Sequence, residues 1–211
     1  MVNENIFLTL AALVCSYLVG SFPTAYLTVQ KSLQIDIRNA GSGNVGARNT
    51  YEVTHKKSLG IFVMLVDAVK GIIAVEATRF FIPNNPFVLS VSVVFVTVGH
   101  CYPLWLKFNG GRGLATAAGA MLVIGWIYVA VWVLLYFIAE RFVKEVHLAS
   151  VVALIVTPIA MYVLPENYLL LWITKEYSIQ QFIALGSTFS LVILSKHYEP
   201  VQTHFISRDK K

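Results

Sequence analysis

Charged residues are scarce in this sequence of 211 residues, since only 13% are Asp, Glu, Lys or Arg while 57% are hydrophobic. A soluble domain carries about 25% charged residues. The mean hydropathy of +0.69 therefore excludes an ordinary soluble domain and predicts an integral membrane protein. Because backbone groups cannot remain unpaired in lipid, we expect the membrane spans to be α-helices.

Cysteine is also scarce, and two residues, Cys15 and Cys101, cannot build a disulfide framework. No HExxH motif and no Cys/His ligand spacing is present, so no metal site is expected. The sequence shows no internal repeat, no low-complexity linker and no separate soluble domain. We therefore expect residues 1–211 to form a single polytopic membrane domain, a compact helical bundle.

Long apolar runs with few charges identify the candidate membrane spans, and several approach the roughly 20 residues that a helix needs to cross a bilayer. The first run has no Lys or Arg ahead of it and no small-residue cleavage site after it, so it is interpreted as a permanent helix rather than a signal peptide. The runs are Ile6–Val29, Leu59–Ala77, Phe87–Leu106, Leu114–Ala139, Leu148–Leu164 and Ile179–Ser195.

Basic residues cluster between some of these runs, and this predicts which loops are cytoplasmic. The net charge of +5 follows from this pattern and does not indicate a nucleic-acid partner. The segment Gly113–Phe142 has basic residues on both sides, and its length, roughly 45 Å as helix, is long for one crossing and short for two. A break at Gly125, between helices over about 114–124 and about 126–142, predicts seven spans with the N-terminus outside and the C-terminus cytoplasmic. One continuous tilted helix, giving six spans, is the alternative.

A glycine-rich segment, Gly41–Asn49, interrupts the apolar sequence. Glycine tolerates positive φ and has no Cβ, so successive amides can converge on an anion, and an arginine in the segment can add a charge-assisted hydrogen bond. The segment predicts a phosphate-bearing ligand, whereas a flexible loop between two helices is the alternative. Its candidate binding residues are Gly41, Ser42, Gly43, Asn44, Gly46, Arg48 and Asn49.

A second segment of the same kind runs from Gly99 to Thr116. Its glycines bracket Arg112, and Thr116 falls in the first turn of the next predicted helix, so that amides and the helix dipole can face an anion there. Both glycine-rich segments are predicted on the cytoplasmic face. The candidate binding residues of the second are Gly110, Gly111, Arg112, Gly113 and Thr116.

Ionisable residues inside apolar runs are costly and normally face the protein interior or water. Asp67 and Lys70 are three residues apart, which places them on one helix face where they can pair. The sequence leaves two roles open for these residues. They could form a neutralising structural ion pair, or they could bind a ligand directly. Glu76 and Arg79 repeat the spacing nearer a helix end and are expected to form an interfacial pair.

Two histidines lie near the ends of apolar runs, His100 directly after Gly99 and His197 after the last run. A neutral imidazole is a competent base near neutral pH, so either could carry a proton in acyl transfer. The alternative for each is an interfacial or hydrogen-bonding histidine.

These features follow one another in an order that resembles a known family. They are Gly20-Ser21, Gly41–Asn49, Asp67 with Lys70-Gly71, Gly99-His100 through Gly110-Gly111-Arg112-Gly113-Leu114-Ala115-Thr116, Leu148-Ala149-Ser150 and His197-Tyr198-Glu199. Over nearly the whole chain they resemble the bacterial acyl-phosphate:glycerol-3-phosphate acyltransferase family, PlsY. The resemblance implies a seven-helix enzyme of the bacterial inner membrane, which transfers a fatty acyl group from acyl phosphate to the 1-hydroxyl of glycerol 3-phosphate. The products are lysophosphatidic acid and phosphate.

The resemblance also implies residue roles. His100, Arg112, Ser150 and His197 are candidate catalytic residues, and Glu199 is a candidate substrate-binding residue together with Asp67, Lys70 and the glycine-rich segments. It implies no metal, no acyl-CoA, no acyl carrier protein and no acyl-enzyme intermediate. Because acyl phosphate is already activated, the protein would mainly align two anionic substrates and stabilise developing negative charge.

The sequence departs from the family pattern at three positions. Arg112 stands where the family usually has lysine, Glu52 where it commonly has arginine, and Pro200 where it has asparagine. Arg48, at a position that is usually small or hydroxylic, could restore one positive charge. The departures are expected to affect binding of the acceptor. They leave open an alternative in which the chain is a diverged, non-catalytic membrane protein that binds lipid or phosphate. A small-anion transporter is another, although inverted repeats would then be expected.

Overall fold

The computed structural model describes residues 2–208, and over this range the chain contains α-helices, short 3₁₀ turns and irregular segments but no strand. The expected all-α class is confirmed. The 3₁₀ turns are Ile37–Asn39 and Leu104–Leu106. The helices are α1 Val2–Ser21, α2 Thr24–Leu33, α3 Ala47–Thr54, α4 Lys57–Phe81, α5 Pro86–Cys101, α6 Leu114–Val143, α7 Val146–Val163, α8 Glu166–Leu169, α9 Ile179–Ser195 and α10 Tyr198–Arg208.

Large apolar side chains are exposed along the long helices, with Phe80, Phe81 and Phe142 at 79%, 75% and 81% exposure. Water disfavours such a surface and lipid requires it. The shorter helix α9 is apolar as well. The prediction of seven spans stays a prediction. Among residues 2–208, five segments are long and apolar enough to cross a membrane, namely Ile6–Leu33, Lys57–Phe81, Pro86–Leu106, Leu114–Val143 and Val146–Val163.

The first apolar run belongs to one candidate span but is not one helix. The chain leaves the helical path between α1 and α2, at Phe22 and Pro23. Proline has no N–H to donate and its ring clashes with a preceding helical turn, so the run cannot continue unbroken. The ammonium of Lys70 donates to the carbonyl oxygens of Phe22 at 2.8 Å and of Gly20 at 3.3 Å. These bonds satisfy carbonyl groups at the C-terminal end of α1 with a positive charge, the sign that a helix C-terminus favours.

The predicted break at Gly125 is confirmed, because this residue has φ −171° and ψ 89° within α6. Nη2 of Arg79 donates to the carbonyl oxygen of Val123 at 3.1 Å, and the amide of Thr174 donates to that of Ile124 at 2.8 Å. The predicted ion pair between Arg79 and Glu76 is also confirmed. The backbone therefore stays hydrogen-bonded at a break within an apolar segment.

The chain divides into two units, Met1–Val123 and Ile124–Lys211. In the first, α1 and α5 approach closely at two glycines, since a Cβ on Gly20 would overlap the α5 backbone and one on Gly99 would overlap the α1 backbone. Ser92 joins a third helix by donating to the carbonyl oxygen of Ala74 on α4 at 2.9 Å, and its hydroxyl lies 2.8 Å from that of Ser16. Small residues and paired hydroxyls are typical contacts between helices in lipid.

An apolar cluster of the first unit fixes the loops that carry the glycines. Its members come from α2, from both loops and from α4, so burying them holds these segments together. The buried residues are Ala25, Val29, Ile37, Val45, Val63 and Leu106.

In the second unit, Tyr128 on α6 organises the contact with α9. Its hydroxyl lies 3.1 Å from that of Ser190, and its ring packs edge-on against Phe182 and Phe189. Gly186 leaves room for this ring, because a Cβ there would overlap it. The expectation of a single domain over the whole chain stays a prediction.

Candidate active site

Asn49 shapes the first glycine-rich segment from inside. Its side-chain oxygen accepts a hydrogen bond from the amide of Ser42 at 2.9 Å. Its side-chain nitrogen donates to the carbonyl oxygens of Asn44 at 2.9 Å and Ala40 at 3.0 Å. Asn49 is only 1% exposed, and a Cβ on Gly41, which has φ +57°, would overlap its oxygen. The geometry thus supports a loop-forming role for Asn49, which the sequence presented as a candidate ligand-binding residue.

Some backbone amides of this segment are hydrogen-bonded within the loop, whereas those in the first turn of α3 have no side-chain cap. The amides of Ser42 and Gly43 are used within the loop, the second by the carbonyl oxygen of Ala40 at 3.0 Å. Gly46 precedes α3 and provides no side-chain cap for the first turn of that helix. The segment is therefore an ordered turn leading into a helix N-terminus, where an anion is favoured.

Arg48 faces Glu52 across one turn of α3. Its Nε donates to a Glu52 carboxylate oxygen at 2.8 Å, and the two side chains are 54% and 39% exposed. The positive charge predicted to bind phosphate is thus balanced by the acidic residue that departs from the family pattern. Exposed pairs of this kind contribute little stability.

The second glycine-rich segment folds back on the end of α5. The amides of Gly110 and Gly111 donate to the carbonyl oxygens of Cys101 at 3.2 Å and His100 at 3.1 Å. A Cβ on Gly111 would overlap the His100 imidazole and lie 2.7 Å from the carbonyl oxygen of Val45. The two glycine-rich segments and His100 therefore meet at Gly111, where any larger residue would push them apart.

Arg112 is half-buried and follows this contact directly. Gly113 has φ +87°, a conformation that favours glycine, and α6 begins at the next residue. Thr116 is fully buried, and its carbonyl oxygen would overlap a Cβ on Gly71 of α4. Thr116 thus lies in the contact between α4 and α6 rather than at an open surface.

The predicted pairing of Asp67 and Lys70 is confirmed, with 2.7 Å between the carboxylate oxygen and the ammonium nitrogen. The same carboxylate oxygen lies 3.7 Å from Nδ1 of His100. All three side chains are buried. Lys70 also donates to carbonyl oxygens at the end of α1. The pair therefore has the structural role that was one of its two possible roles.

A narrow cleft of the first unit brings together five of the predicted site residues. Asp67, Lys70, His100, Gly110 and Gly111 all line it, together with the turn between α1 and α2. Among the described residues of this unit, the other predicted site residues do not line the cleft. They are Gly41, Ser42, Gly43, Asn44, Gly46, Arg48, Asn49, Arg112, Gly113 and Thr116.

Arg38 is a structural residue just before the first glycine-rich segment, and the sequence reasoning did not select it as a candidate. Asp36 holds its guanidinium through both carboxylate oxygens, with Nε to Oδ1 at 3.0 Å and Nη2 to Oδ2 at 2.6 Å. The guanidinium also lies 5.6 Å from the ring centre of Tyr26. The hydrogen bond from Arg38 lowers the pKa of Asp36 below its ordinary value, while burial acts in the opposite direction. The sequence could have indicated this pair, because Asp36 and Arg38 are two residues apart just before the first glycine-rich segment.

The second unit contains the remaining predicted site residues. Ser150 is buried on α7 and donates to the carbonyl oxygen of Val146 at 2.8 Å. His197 is buried at the end of α9, with Nδ1 3.0 Å from the carbonyl oxygen of Ile193. Its ring lies 5.8 Å from that of His147, which is three residues before Ser150 and therefore on the same helix face. The sequence reasoning found no motif around His147, although this spacing could have indicated it.

The last two predicted positions lie at the start of α10. Glu199 is exposed in the first turn. Pro200 follows it, still in the first turn, where the missing N–H has no helical partner to lose. Proline is thus compatible with this helix.

Comparison with known proteins decides the family. The family model described as glycerol-3-phosphate acyltransferase matches residues 10–205. The chain belongs to the glycerol-3-phosphate acyltransferase family. This acyltransferase is 31% identical to a glycerol-3-phosphate acyltransferase of Wolbachia pipientis subsp. Culex pipiens (strain wPip), over 94% of this chain and 96% of that relative. It is 33% identical to that of Syntrophotalea carbinolica, over 90% of each chain.

Solved structures agree with the family. A crystal structure of PlsY, an integral membrane glycerol 3-phosphate acyltransferase in its glycerol 3-phosphate form, matches with a TM-score of 0.77 and 25% identity, over 95% of this chain and 93% of that chain. A lysophosphatidic acid form of PlsY, at 24% identity and a TM-score of 0.74, shares the fold. The acyltransferase described here is an all-α, multi-pass integral membrane enzyme of lipid biosynthesis.

Proposed function

We propose that this acyltransferase transfers a fatty acyl group from acyl phosphate to the 1-hydroxyl of glycerol 3-phosphate, giving lysophosphatidic acid and phosphate. The observation that carries the proposal is the meeting of both glycine-rich segments and His100 at Gly111. Relatives named glycerol-3-phosphate acyltransferase support the acceptor, as does a solved PlsY in a glycerol 3-phosphate form. Nothing in these comparisons favours the transporter or the non-catalytic binding protein.

The chemistry suits a site rich in amides and cations. The bond between the acyl carbon and the phosphate oxygen breaks, an ester bond forms to the acceptor hydroxyl, and the hydroxyl proton leaves with the phosphate. Phosphate is a good leaving group, so the protein gains most by aligning the substrates and stabilising negative charge. The uncapped N-terminus of α3 and the half-buried Arg112 supply groups of that kind.

Arg112 is assigned to the phosphate of a substrate or product, because the glycines on both sides allow close approach. Ser150 and His197 are proposed as further catalytic residues, and Glu199 as a substrate-binding residue, on the resemblance of their motifs alone. The reaction requires no metal or cofactor. Glu52 and Pro200 are expected to lower the affinity for the acceptor.

The test is an assay of lysophosphatidic acid formed by the purified protein from acyl phosphate and glycerol 3-phosphate. Arg112→Ala should lose roughly 2 kcal/mol or more of transition-state stabilisation, whereas Arg112→Lys should keep most activity. Lys107→Gln is the matched control, since it removes an exposed positive charge from the same loop. Absence of product from folded protein would contradict the proposed function. Product formed only from acyl-CoA or acyl carrier protein would contradict the proposed donor.

We also propose that the enzyme lies in a bacterial inner membrane, with its glycine-rich loops and C-terminus cytoplasmic and its N-terminus outside. The basic residues Arg141, in the last turn of α6, and Lys144, between α6 and α7, then face the cytoplasm. A single cysteine placed at residue 144, with Cys15 and Cys101 removed, should resist a membrane-impermeant thiol reagent in intact cells. Labelling from outside would contradict the seven-span topology.

A further inference from the structure

Two hydroxyl groups in the turn between α1 and α2 are buried without a protein partner. Ser21 is fully buried and Thr24 is 5% exposed, and neither side-chain oxygen has a hydrogen-bond partner among the described residues. Several other threonines of this unit are hydrogen-bonded, whereas the buried hydroxyl of Thr116 also has no partner among the described residues. Thr28 and Thr97, for example, donate to the carbonyl oxygen four residues earlier at 2.8 Å. Buried polar groups normally have a partner, so the exceptions call for an explanation.

Both residues line the cleft that contains Asp67, Lys70 and His100. The cleft has room for about 10 Å³, which is the space of one water-sized group. A phosphate group or an acyl chain is too large for it. A single hydroxyl fits.

The charges in the cleft also favour a neutral group. Lys70 is paired with Asp67 at 2.7 Å and donates to two carbonyl oxygens, so its positive charge is balanced. A phosphate would meet the Asp67 carboxylate at close range without a net positive charge to compensate. The hydroxyls of Ser21 and Thr24 can each donate and accept, and thus complement the hydroxyl of an alcohol.

We propose that Ser21 and Thr24 are specificity-determining residues that hold the non-reacting 2-hydroxyl of the acceptor. This rests on the proposed function, in which the acceptor is glycerol 3-phosphate. The reacting 1-hydroxyl must reach the acyl carbon and cannot be enclosed in a cleft for one small group. Gly110 and Gly111 border the cleft, and the next residue is Arg112, so one loop contacts the hydroxyl and reaches the phosphate.

The experiment compares two acceptors, glycerol 3-phosphate and 3-hydroxypropyl phosphate, which lacks the 2-hydroxyl. Their affinities for the purified full-length protein are measured by titration calorimetry. Wild-type protein should bind glycerol 3-phosphate more tightly. The double variant Ser21→Ala with Thr24→Val should bind glycerol 3-phosphate about tenfold more weakly, while its affinity for 3-hydroxypropyl phosphate stays unchanged, because two neutral hydrogen bonds are lost. Equal affinities in the wild type, or equal losses for both acceptors in the variant, would overturn the assignment.

Thr28→Val is the matched control, because it removes a hydroxyl from the same helix that already bonds the carbonyl oxygen of Thr24. This variant should leave the affinities for both acceptors unchanged. The comparison of the two acceptors in the wild-type protein does not depend on the folding of any variant.

Binding and turnover separate the two proposals. Protein that discriminates between the acceptors but forms no lysophosphatidic acid contradicts only the proposed reaction. Protein that forms product but does not discriminate contradicts only the hydroxyl site.

Discussion

Arg38 donates from Nη1 to the carbonyl oxygen of Leu106 at 3.2 Å, and this hydrogen bond ties the residues before the first glycine-rich segment to the second glycine-rich segment. Asp36 fixes the guanidinium in a two-point contact, so the orientation of Arg38 is set locally while its partner is 68 residues away. The relationship explains how two loops from distant parts of the chain keep one arrangement.

Arg38→Gln should therefore lower acyltransferase activity, because the carbonyl of Leu106 and the carboxylate of Asp36 lose a charged donor. A hydrogen bond to a charged group contributes about 1.5 to 3 kcal/mol, so a loss of roughly tenfold or more in kcat/KM is expected. Arg38→Lys should restore little, since an ammonium cannot serve both partners in the fork geometry. Lys31→Gln, which removes an exposed charge on α2, is the control. Wild-type activity in Arg38→Gln would contradict the coupling of the loops.

Acid should weaken the contact between Asp36 and Arg38. The hydrogen bond from Arg38 holds the pKa of Asp36 below its ordinary value of 3.8. A carboxyl whose folded pKa is lowered contributes stability above its unfolded pKa, and that stability is lost as the pH falls through the folded pKa. Asp36→Asn should therefore lower the unfolding midpoint at neutral pH, and the difference from wild type should shrink below about pH 4. A difference that is constant between pH 7 and pH 3 would exclude this origin.

Asn49→Ala should disorder the first glycine-rich segment. The change removes the acceptor of the Ser42 amide and the donor to two carbonyl oxygens, and unsatisfied buried groups cost about 1 to 3 kcal/mol each. Asn49→Asp keeps an acceptor but places a carboxylate against the two carbonyl oxygens, so it should not rescue. Hydrogen exchange of residues 40–46 should quicken in both variants, whereas Asn109→Ala, in the other glycine-rich segment, should leave it unchanged. Unaltered exchange in Asn49→Ala would contradict the loop-forming role.

Glu52→Arg should improve binding of an anionic acceptor. The substitution removes the carboxylate that balances Arg48 and adds a positive charge at the position where the family commonly has arginine. The KM for glycerol 3-phosphate should fall while the dependence on acyl phosphate stays nearly unchanged, because only the acceptor is expected to gain a partner. Stability should change little, since an exposed pair four residues apart on a helix contributes about 0.3 to 0.5 kcal/mol. Equal effects on both substrates would show that residue 52 does not act on the acceptor.

Contacts within one or two helical turns could be predicted from the sequence. The pairs Asp67–Lys70 and Glu76–Arg79 follow from a spacing of three residues, which any helix converts into proximity. The Gly125 break followed from span length and charge, and α9 begins and ends at the residues that its apolar run predicted. The pairing of Arg48 with Glu52 also follows from a local spacing, but the sequence reasoning assigned Arg48 to a ligand instead of to its neighbour.

By itself, the sequence determined that this protein is an all-α membrane protein with two glycine-rich loops, because hydropathy and backbone freedom are properties of short segments. Tertiary structure alone decided that Gly111 lies against His100 and Val45, that Arg38 reaches Leu106, and that Lys70 bonds the end of α1. It also decided that Ser21 and Thr24 share a cleft with Asp67. Apart from the contact of Gly111 with His100, which spans 11 positions, these contacts join residues 43 to 68 positions apart, and no local periodicity specifies them. They exist because helices packed through small residues bring particular loop ends together.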